Sequence, residues 1–357
     1  MERVPRPRLH FTPRAGRLGD LFGVLTSGRR YHVYYEHRDL GGAPSAWGHA
    51  VSDDLILWTE QDAVPAIGDA RCGTVVAGPD GPVLFHTRGG GQVARAVADY
   101  GPAGWRLDPP GALLTGPPSG ATGLRDPYVW WAGSGWRMLL SGRVRGAAVV
   151  LQYHSADQLR WSYDGVLAAR DGADWRCPRL FPLDDTWVLL VSTGDETAYG
   201  IGDYDGQRFT ARAWGSFTRE RLGPAATFVD SAGRRCVLVR LGEEPARPGS
   251  AWAGMLSLPW VLSVRGDRLI ATPHPNLDPY LISGGTGLTA TGGEVRDHGD
   301  LILTMPTGGE TTLFADADIV EVTVEGVSGL GVARRTGPTV PGVRFARFGG
   351  GPSGTRS

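Results

Sequence analysis

Five short apolar segments recur along this chain at near-constant spacing, and that repeat limits the fold more than any other feature. They are Y-H-V-Y-Y from Tyr31, V-L-F-H-T from Val83, R-M-L-L-S from Arg137, W-V-L-L-V from Trp187 and C-V-L-V-R from Cys236. The interval is roughly 50 residues, the length of a propeller blade. Each segment follows a turn-forming stretch (S-G-R-R, P-D-G-P, G-S-G-W, L-D-D-T and S-A-G-R-R) suited to a tight hairpin. A second echo lies further into each period. S-D-D-L-I-L-W from Ser52 recurs as S-A-D-Q-L-R-W from Ser155 and, more loosely, as A-D-Y-G-P-A-G-W from Ala98. Five copies predict an all-β chain folded as a five-bladed β-propeller. The competing expectation is an unrelated β-sandwich with coincidental turns.

Composition agrees with many short strands divided by turns: 54 glycines and 26 prolines occur among 357 residues. The net charge of −1 gives no case for nucleic acid or an acidic surface as a partner. No apolar run is long enough to span a bilayer, and the opening M-E-R-V-P-R-P-R has no apolar signal core, so a cytoplasmic location is expected. All 36 fixed cations are arginine. Cys72, Cys177 and Cys236 are widely spaced and odd in number, which is neither a disulfide framework nor a zinc pattern. Without a nucleotide or metal motif, no cofactor and no metal are expected. The partner expected is a small-molecule substrate, and the oligomeric state is left open.

Stepping back about eleven residues from each repeated segment gives Asp20, Cys72, Asp126, Arg176 and Ala225. In a propeller the preceding strand of each blade is the innermost one, so equivalent positions face the central channel. Two acids, one base, a thiol and a methyl group would ring its mouth. His49 in W-G-H-A reads as a structural histidine, and Cys72 as a small buried residue rather than a nucleophile. Trp130, Trp131 and Trp252 read as packing between blades, and Asp203 and Asp205 as hairpin-turn residues.

These segments resemble the invertase and levanase family, glycoside hydrolase family 32. W-G-H-A-V-S-D-D-L-I-L-W from Trp47 is similar to the family's W-G-H-A-x-S-x-D-L-x-x-W. L-R-D-P around Asp126 resembles its R-D-P motif, and W-R-C-P-x-L-F-P-L from Trp175 its W-E-C-P-x-L-F-P-L. Y-G-I-G-D-Y-D-G-Q-R-F from Tyr199, A-G-M-L-S-L-P-W from Ala253 and D-A-D-I-V-E-V-T-V-E-G from Asp316 resemble later blade and sandwich signatures. The resemblance implies a propeller over residues 1–268, a short, truncated β-sandwich-like module over 269–349 and a flexible tail over 350–357. It implies Asp20 at the nucleophile position and Asp126 at the transition-state stabiliser position. The acid/base glutamate would sit where this chain has Arg176.

Other positions depart as well. The family's W-M-N-D-P-N-G reads R-L-G-D-L-F-G from Arg17 to Gly23, so Arg17, Gly19 and Phe22 replace an aromatic wall and two sugar-binding asparagines. F-Y-Q reads Y-Y-E, which puts Glu36 at a sugar-contacting glutamine. The expected substrate contacts are Arg17, Phe22, Glu36, Trp47, Cys72, Arg125 and Asp174, around a catalytic set of Asp20, Asp126 and Arg176.

Retaining glycoside hydrolysis needs an attacking carboxylate and a proton donor about 5 Å away. Arginine cannot donate that proton, because its pKa exceeds ~12. Asp174, two residues before Arg176, and Glu36, in the adjoining strand of the first blade, are the possible substitutes. Arg176 itself offers a positive fork for a carboxylate or phosphate. Three readings follow. One is an enzyme of non-standard chemistry on an anionic or activated substrate, including a cyclisation or rearrangement in specialised metabolism. Another is a residual β-fructofuranosidase or fructosyltransferase with a substitute acid. The last is a non-catalytic sugar-binding module. Retention of Asp20, Arg125 and Asp126 in pattern favours an enzyme, and an ordinary fructosidase is not expected.

Overall fold

The computed structural model describes residues 5–41, 46–65, 71–98, 104–170, 174–194, 196–218, 222–243 and 246–349. Five antiparallel sheets of four principal strands each follow one another along the chain. Their innermost strands are Gly16–Ser27, Arg71–Gly78, Ala121–Trp131, Arg176–Leu183 and Leu222–Val229. The five repeated apolar segments are the second strands, Arg30–Arg38, Gly81–Arg88, Trp136–Val144, Thr186–Ser192 and Arg235–Leu241. They lie between two neighbours in their sheet and pack on both faces, which is why they read as unbroken apolar runs rather than as alternation.

The hairpins match their turn chemistry. Asp184 and Asp185 both have positive φ (46° and 60°), as do Arg145 and Gly146 (49° and 85°). These are two-residue turns of the mirror type, whose twist suits paired strands. The echo from Ser52 and Ser155 is a shared turn. Asp54 accepts from the main-chain N–H groups of Ile56 and Leu57, and Asp157 from those of Leu159 and Arg160. Trp58 and Trp161 each donate their indole N–H back to the carbonyl three residues earlier, at 3.0 Å. The looser copy from Ala98 lies mostly outside the described residues; its Trp105 opens the fourth strand of blade two.

Ring closure uses the segment Trp252–Leu256. Trp252–Ala253 pairs in parallel with Gly16 and Arg17 of blade one, while Met255–Leu256 pairs with Arg240 and Leu241 of blade five. Between them Gly254, at φ 73°, passes so close to blade one that a Cβ would lie 2.7 Å from the Leu18 carbonyl oxygen. The strand Arg268–Pro273 pairs with Trp260–Arg265, so the fifth sheet runs to Pro273, past the expected boundary at residue 268.

Beyond it lies a β-sandwich. Ile282–Ser283, Val340–Phe348, Thr311–Ala317, Ile319–Val324 and Gly331–Arg334 form one sheet, in that order, and Leu288–Thr291, Glu294–Asp297 and Asp300–Thr304 the other. The sandwich shares its core with blades four and five: Phe314 meets Trp260 edge-on at 5.5 Å, in one cluster with Phe181 and Val237. The expected tail at 350–357 lies outside the described residues. No helix among the described residues is long and apolar enough to cross a membrane.

Candidate active site

Each innermost strand breaks register with its neighbour near the same end: at 18–21, 71–73, 122–128, 176–179 and 222–225. A bulge leaves residues unpaired and turns them off the sheet, here toward the channel. In blades three and four the bulge is the same tripeptide device, Arg125-Asp126-Pro127 and Arg176-Cys177-Pro178. Asp126 and Cys177 both take positive φ, 61° and 47°. Arg176 therefore occupies in blade four the place that Arg125 holds one blade earlier. In blade five the bulge falls at Gly223-Pro224, and Ala225, expected in the ring, lies past it, buried opposite Val239.

The three expected catalytic residues come together unequally. Asp126 is 1% exposed and fully engaged. Arg176 donates to it twice, from Nε at 2.7 Å and Nη2 at 3.1 Å, and the Cys177 main-chain N–H adds a third bond at 3.1 Å. These bonds raise the Arg176 pKa against the opposing effect of burial, and the charges of Asp126, Asp20 and Asp174 add to the rise. Arg176 stays 32% exposed, so part of its side chain remains open to solvent. Asp20 keeps 19% of its side chain exposed, and its charged neighbour is Arg240, with Nε 3.5 Å from Oδ1.

Arg240 was not legible as a site residue. Its signal was the lone charge ending the apolar run C-V-L-V-R. It reaches the channel because Gly223 in front of it has no side chain; a Cβ there would collide with the guanidinium. Blade one repeats the device with opposite charge: Glu36 lies against Gly19, beside the Asp20 backbone. Burial pushes the Glu36 carboxyl above the usual carboxylate range, the Arg38 hydrogen bond and charge pull it back, and the charge of Asp20 raises it again.

The remaining expected contacts divide. Asp174, 51% exposed, accepts through Oδ1 from both Arg125 at 2.6 Å and Arg143 at 3.2 Å, so one of its oxygens is shared by two guanidiniums at the rim. Arg17 donates to the main-chain carbonyl of Glu243. Phe22 and Trp47 are corrections. Both are fully buried, meeting edge-on at 6.5 Å between blades one and two, because the second of two register shifts in the first strand turns Phe22 into the wall.

Cys72 is a further correction, since it is bonded to Cys177, with Cα atoms 6.4 Å apart. A separation of 105 residues hid the pair in the sequence; the ring brings the inner strands of blades two and four together across the channel. Asp20 lies over this pair.

The other polar residues are structural. His49 stacks on Tyr34 at 4.5 Å, and burial, with the nearby His32 charge, holds its pKa down at about 4. Asp205 accepts from the Gln207 and Arg208 main chain at 2.8 and 2.7 Å. Trp131, the last residue of the innermost strand of blade three, is exposed, while Trp252 is buried between Arg6 and Arg247.

Known proteins share this architecture. A sucrose-6-phosphate hydrolase of Escherichia coli is 28% identical over 327 residues, covering 78% of this chain and 68% of that protein. A levanase of Bacillus subtilis (strain 168) is 27% identical over 330 residues, covering 76% and 47%. Among solved structures, a sucrose complex of the Bombyx mori GH32 β-fructofuranosidase aligns with a TM-score of 0.76 at 18% identity, covering 96% of this chain and 93% of that one. Fructan 1-exohydrolase IIa from Cichorium intybus gives 0.75 at 17%, covering 97% and 94%. At those identities the structural likeness establishes the fold alone. Residues 10–273 match the glycosyl hydrolases family 32 N-terminal domain, the propeller whose ring carries Asp20, Asp126 and Arg176. On that match, the chain belongs to glycoside hydrolase family 32, with a glycosidase scaffold and an arginine in the ring.

Proposed function

We propose that this protein transfers a glycosyl group from a small donor whose leaving group is anionic and departs without a proton from the enzyme. Asp20 is the attacking carboxylate, since it is the ring acid with an open face. Its oxygen bonds to the anomeric carbon as the bond to the leaving group breaks, and water or a hydroxyl acceptor then displaces Asp20, giving its proton to the departed anion or to solvent. Asp126 is held by Arg176 as a fixed charge beside the developing cation. The exposed edges of Arg176 and Arg240 bind the departing anion, with the geometry that guanidinium offers a phosphate or carboxylate. General acid assistance is worth about 10²–10⁴ in rate, and a stable anionic leaving group removes the need for it. The observation that carries this reading is the Arg176 side chain, doubly bonded to Asp126 and still a third exposed. Sucrose, the ligand of the Bombyx mori complex, has a poor leaving group and would be a weak substrate here.

The test compares sucrose with β-D-fructofuranosyl fluoride, whose fluoride leaves unprotonated. Wild type should consume the fluoride and leave sucrose nearly untouched, and Asp20→Asn should slow the fluoride reaction by roughly 10³-fold or more. Equal turnover of both donors, or full activity in Asp20→Asn, would sink the proposal. A second reading makes Glu36 the substitute acid, favoured by its burial and raised pKa beside Asp20. In that case wild type cleaves sucrose, and Glu36→Gln abolishes sucrose turnover while sparing the fluoride.

A further inference from the structure

Below the ring of Asp20 and Asp126, the central channel contains a cavity of about 120 Å³, lined in part by Phe22, Thr74, Tyr128, Arg179, Ala226 and Thr227. Its polar groups are incompletely matched. The Arg179 guanidinium is buried and donates to three main-chain carbonyls, Leu21 at 3.5 Å, Gly73 at 3.0 Å and Pro178 at 3.0 Å. It lies 5.0 Å from the Tyr128 ring centre, and no carboxylate pairs with it among the described residues. The Thr227 hydroxyl, in the innermost strand of blade five, is buried without a hydrogen-bond partner.

A second guanidinium serves the same region. Arg235, at the start of the second strand of blade five, sits 4.9 Å over the Phe181 ring with its Nε buried and unpartnered. Burial pushes the Tyr128 phenol pKa up, and the charges of Arg235 and Arg179 both oppose the rise.

Arginine keeps its proton in such surroundings, so the charge of the buried Arg179 persists where unpaired charge is costly. The charges of Asp126 and Asp20 above reach Arg179, but neither acid is paired with it. Asp126 is taken by Arg176 and the Cys177 N–H, and Asp20 faces Arg240. The third acid beside the ring, Glu36, is taken by Arg38, so no carboxylate among the described residues is left to pair with Arg179. Water could satisfy the Thr227 hydroxyl but could not supply the missing negative charge.

We propose that this cavity is a binding site for a small inorganic anion of chloride size, held by the Arg179 guanidinium and the Thr227 hydroxyl, with Arg235 adding charge across Tyr128. The anion sits beneath the reacting carboxylates, so its site is independent of the donor bound at the mouth. Its role is to complete the charge balance of the channel, and thereby to set the field in which Asp20 and Asp126 work.

The full-length protein, exchanged into sodium gluconate, is titrated with sodium chloride at constant ionic strength while thermal unfolding is followed. Wild type is expected to gain about 2 °C in Tm for each tenfold rise in chloride above its binding constant. Thr227→Val, which keeps the side-chain shape and removes the donor, should flatten that response. A crystal soaked in sodium bromide should give an anomalous peak within hydrogen-bond distance of Arg179 and Thr227 Oγ1. Superimposable melts in chloride and gluconate would overturn the proposal. So would a bromide-soaked crystal with only water in the cavity, or a chloride response unchanged in Thr227→Val.

Discussion

At the junction between propeller and sandwich, His10 lies between two acids, with Nδ1 2.9 Å from Asp316 and Nε2 2.9 Å from Glu321, all three side chains fully buried. Asp316 also accepts from the main-chain N–H groups of Arg8, Leu9 and His10, and Glu321 from Leu258 and the Trp260 indole. At the channel mouth the same kinds of group meet, yet they are finished unequally. Asp126 is as closed as Asp316, while Asp20 keeps an open face and Arg176 and Arg240 expose part of their side chains. A closed acid–cation network fixes one arrangement of the chain. One left open at the end of a channel retains capacity for a ligand, and that difference separates architecture from chemistry here.

Breaking the junction should produce the largest loss of stability. Asp316→Ala would orphan three main-chain donors and a buried imidazolium, and removing one partner of a buried ion pair costs roughly 3–5 kcal/mol. Denaturant unfolding of the variant should show that loss. Donor KM should not change, because none of these groups lines the mouth. A loss below about 1 kcal/mol would mean that the junction is no more closed than the mouth.

The junction should also respond to pH. Burial opposes charge on His10, but its hydrogen bonds to Asp316 and Glu321, and their charges, raise its pKa from 6.5 to about 9. A raised folded pKa gives stability that is complete below pH 6.5 and is lost as pH climbs through 9. The shift corresponds to roughly 3 kcal/mol. For Asp316, burial alone would raise the pKa, but the His10 hydrogen bond and charge and the main-chain N–H groups hold it below the usual range; its contribution is present above about pH 4 and fades in acid. Unfolding free energy should therefore decline between pH 6.5 and 9 in wild type, and His10→Gln should lose that slope. An unchanged slope would place its origin elsewhere.

The scaffold was legible in the sequence where physics repeats. The five second strands are enclosed in their sheets, so burial wrote the same apolar run five times. The Ser52 and Ser155 echoes are visible because one carboxylate capping two N–H groups needs the same spacing each time. The site was legible only in part. Asp20, Asp126 and Arg176 share a spacing from the repeat, but the bulges that aim them do not announce themselves, so the spacing puts Ala225 in the ring and the resemblance puts Phe22 on the sugar side, whereas both are buried. Arg240 enters through a gap at Gly223, and Cys72 meets Cys177 across the channel. Both depend on residues in different strands, which single-strand patterns do not encode.

A smaller change at the mouth sharpens the comparison from its open side. Arg240→Met keeps the stem that packs over Gly223 and removes the charge. A partly exposed pair at 3.5 Å contributes little to folding, so stability should shift by under about 1 kcal/mol. If Arg240 binds the departing anion, KM for an anionic donor should rise about tenfold, matching the loss of one charge-assisted contact near 1.4 kcal/mol. An unchanged KM would return Arg240 to a purely structural role beside Asp20.

The rim should be the least sensitive part. Asp174 is half exposed and clamped by Arg125 and Arg143, the arrangement in which ion pairs contribute least, because water and salt already screen both partners. Asp174→Ala should cost no more than about 0.5 kcal/mol and should leave turnover of the fluoride donor intact. It would also free two guanidiniums at the mouth, so binding of an anionic donor should tighten modestly at low salt, an effect that 0.5 M salt would erase. If wild type instead cleaves sucrose, and Asp174→Ala loses that turnover while still consuming the fluoride, Asp174 is donating a proton to the leaving group. The mouth would then need no anionic donor, and the open half of the comparison would be ordinary acid catalysis relocated by two residues.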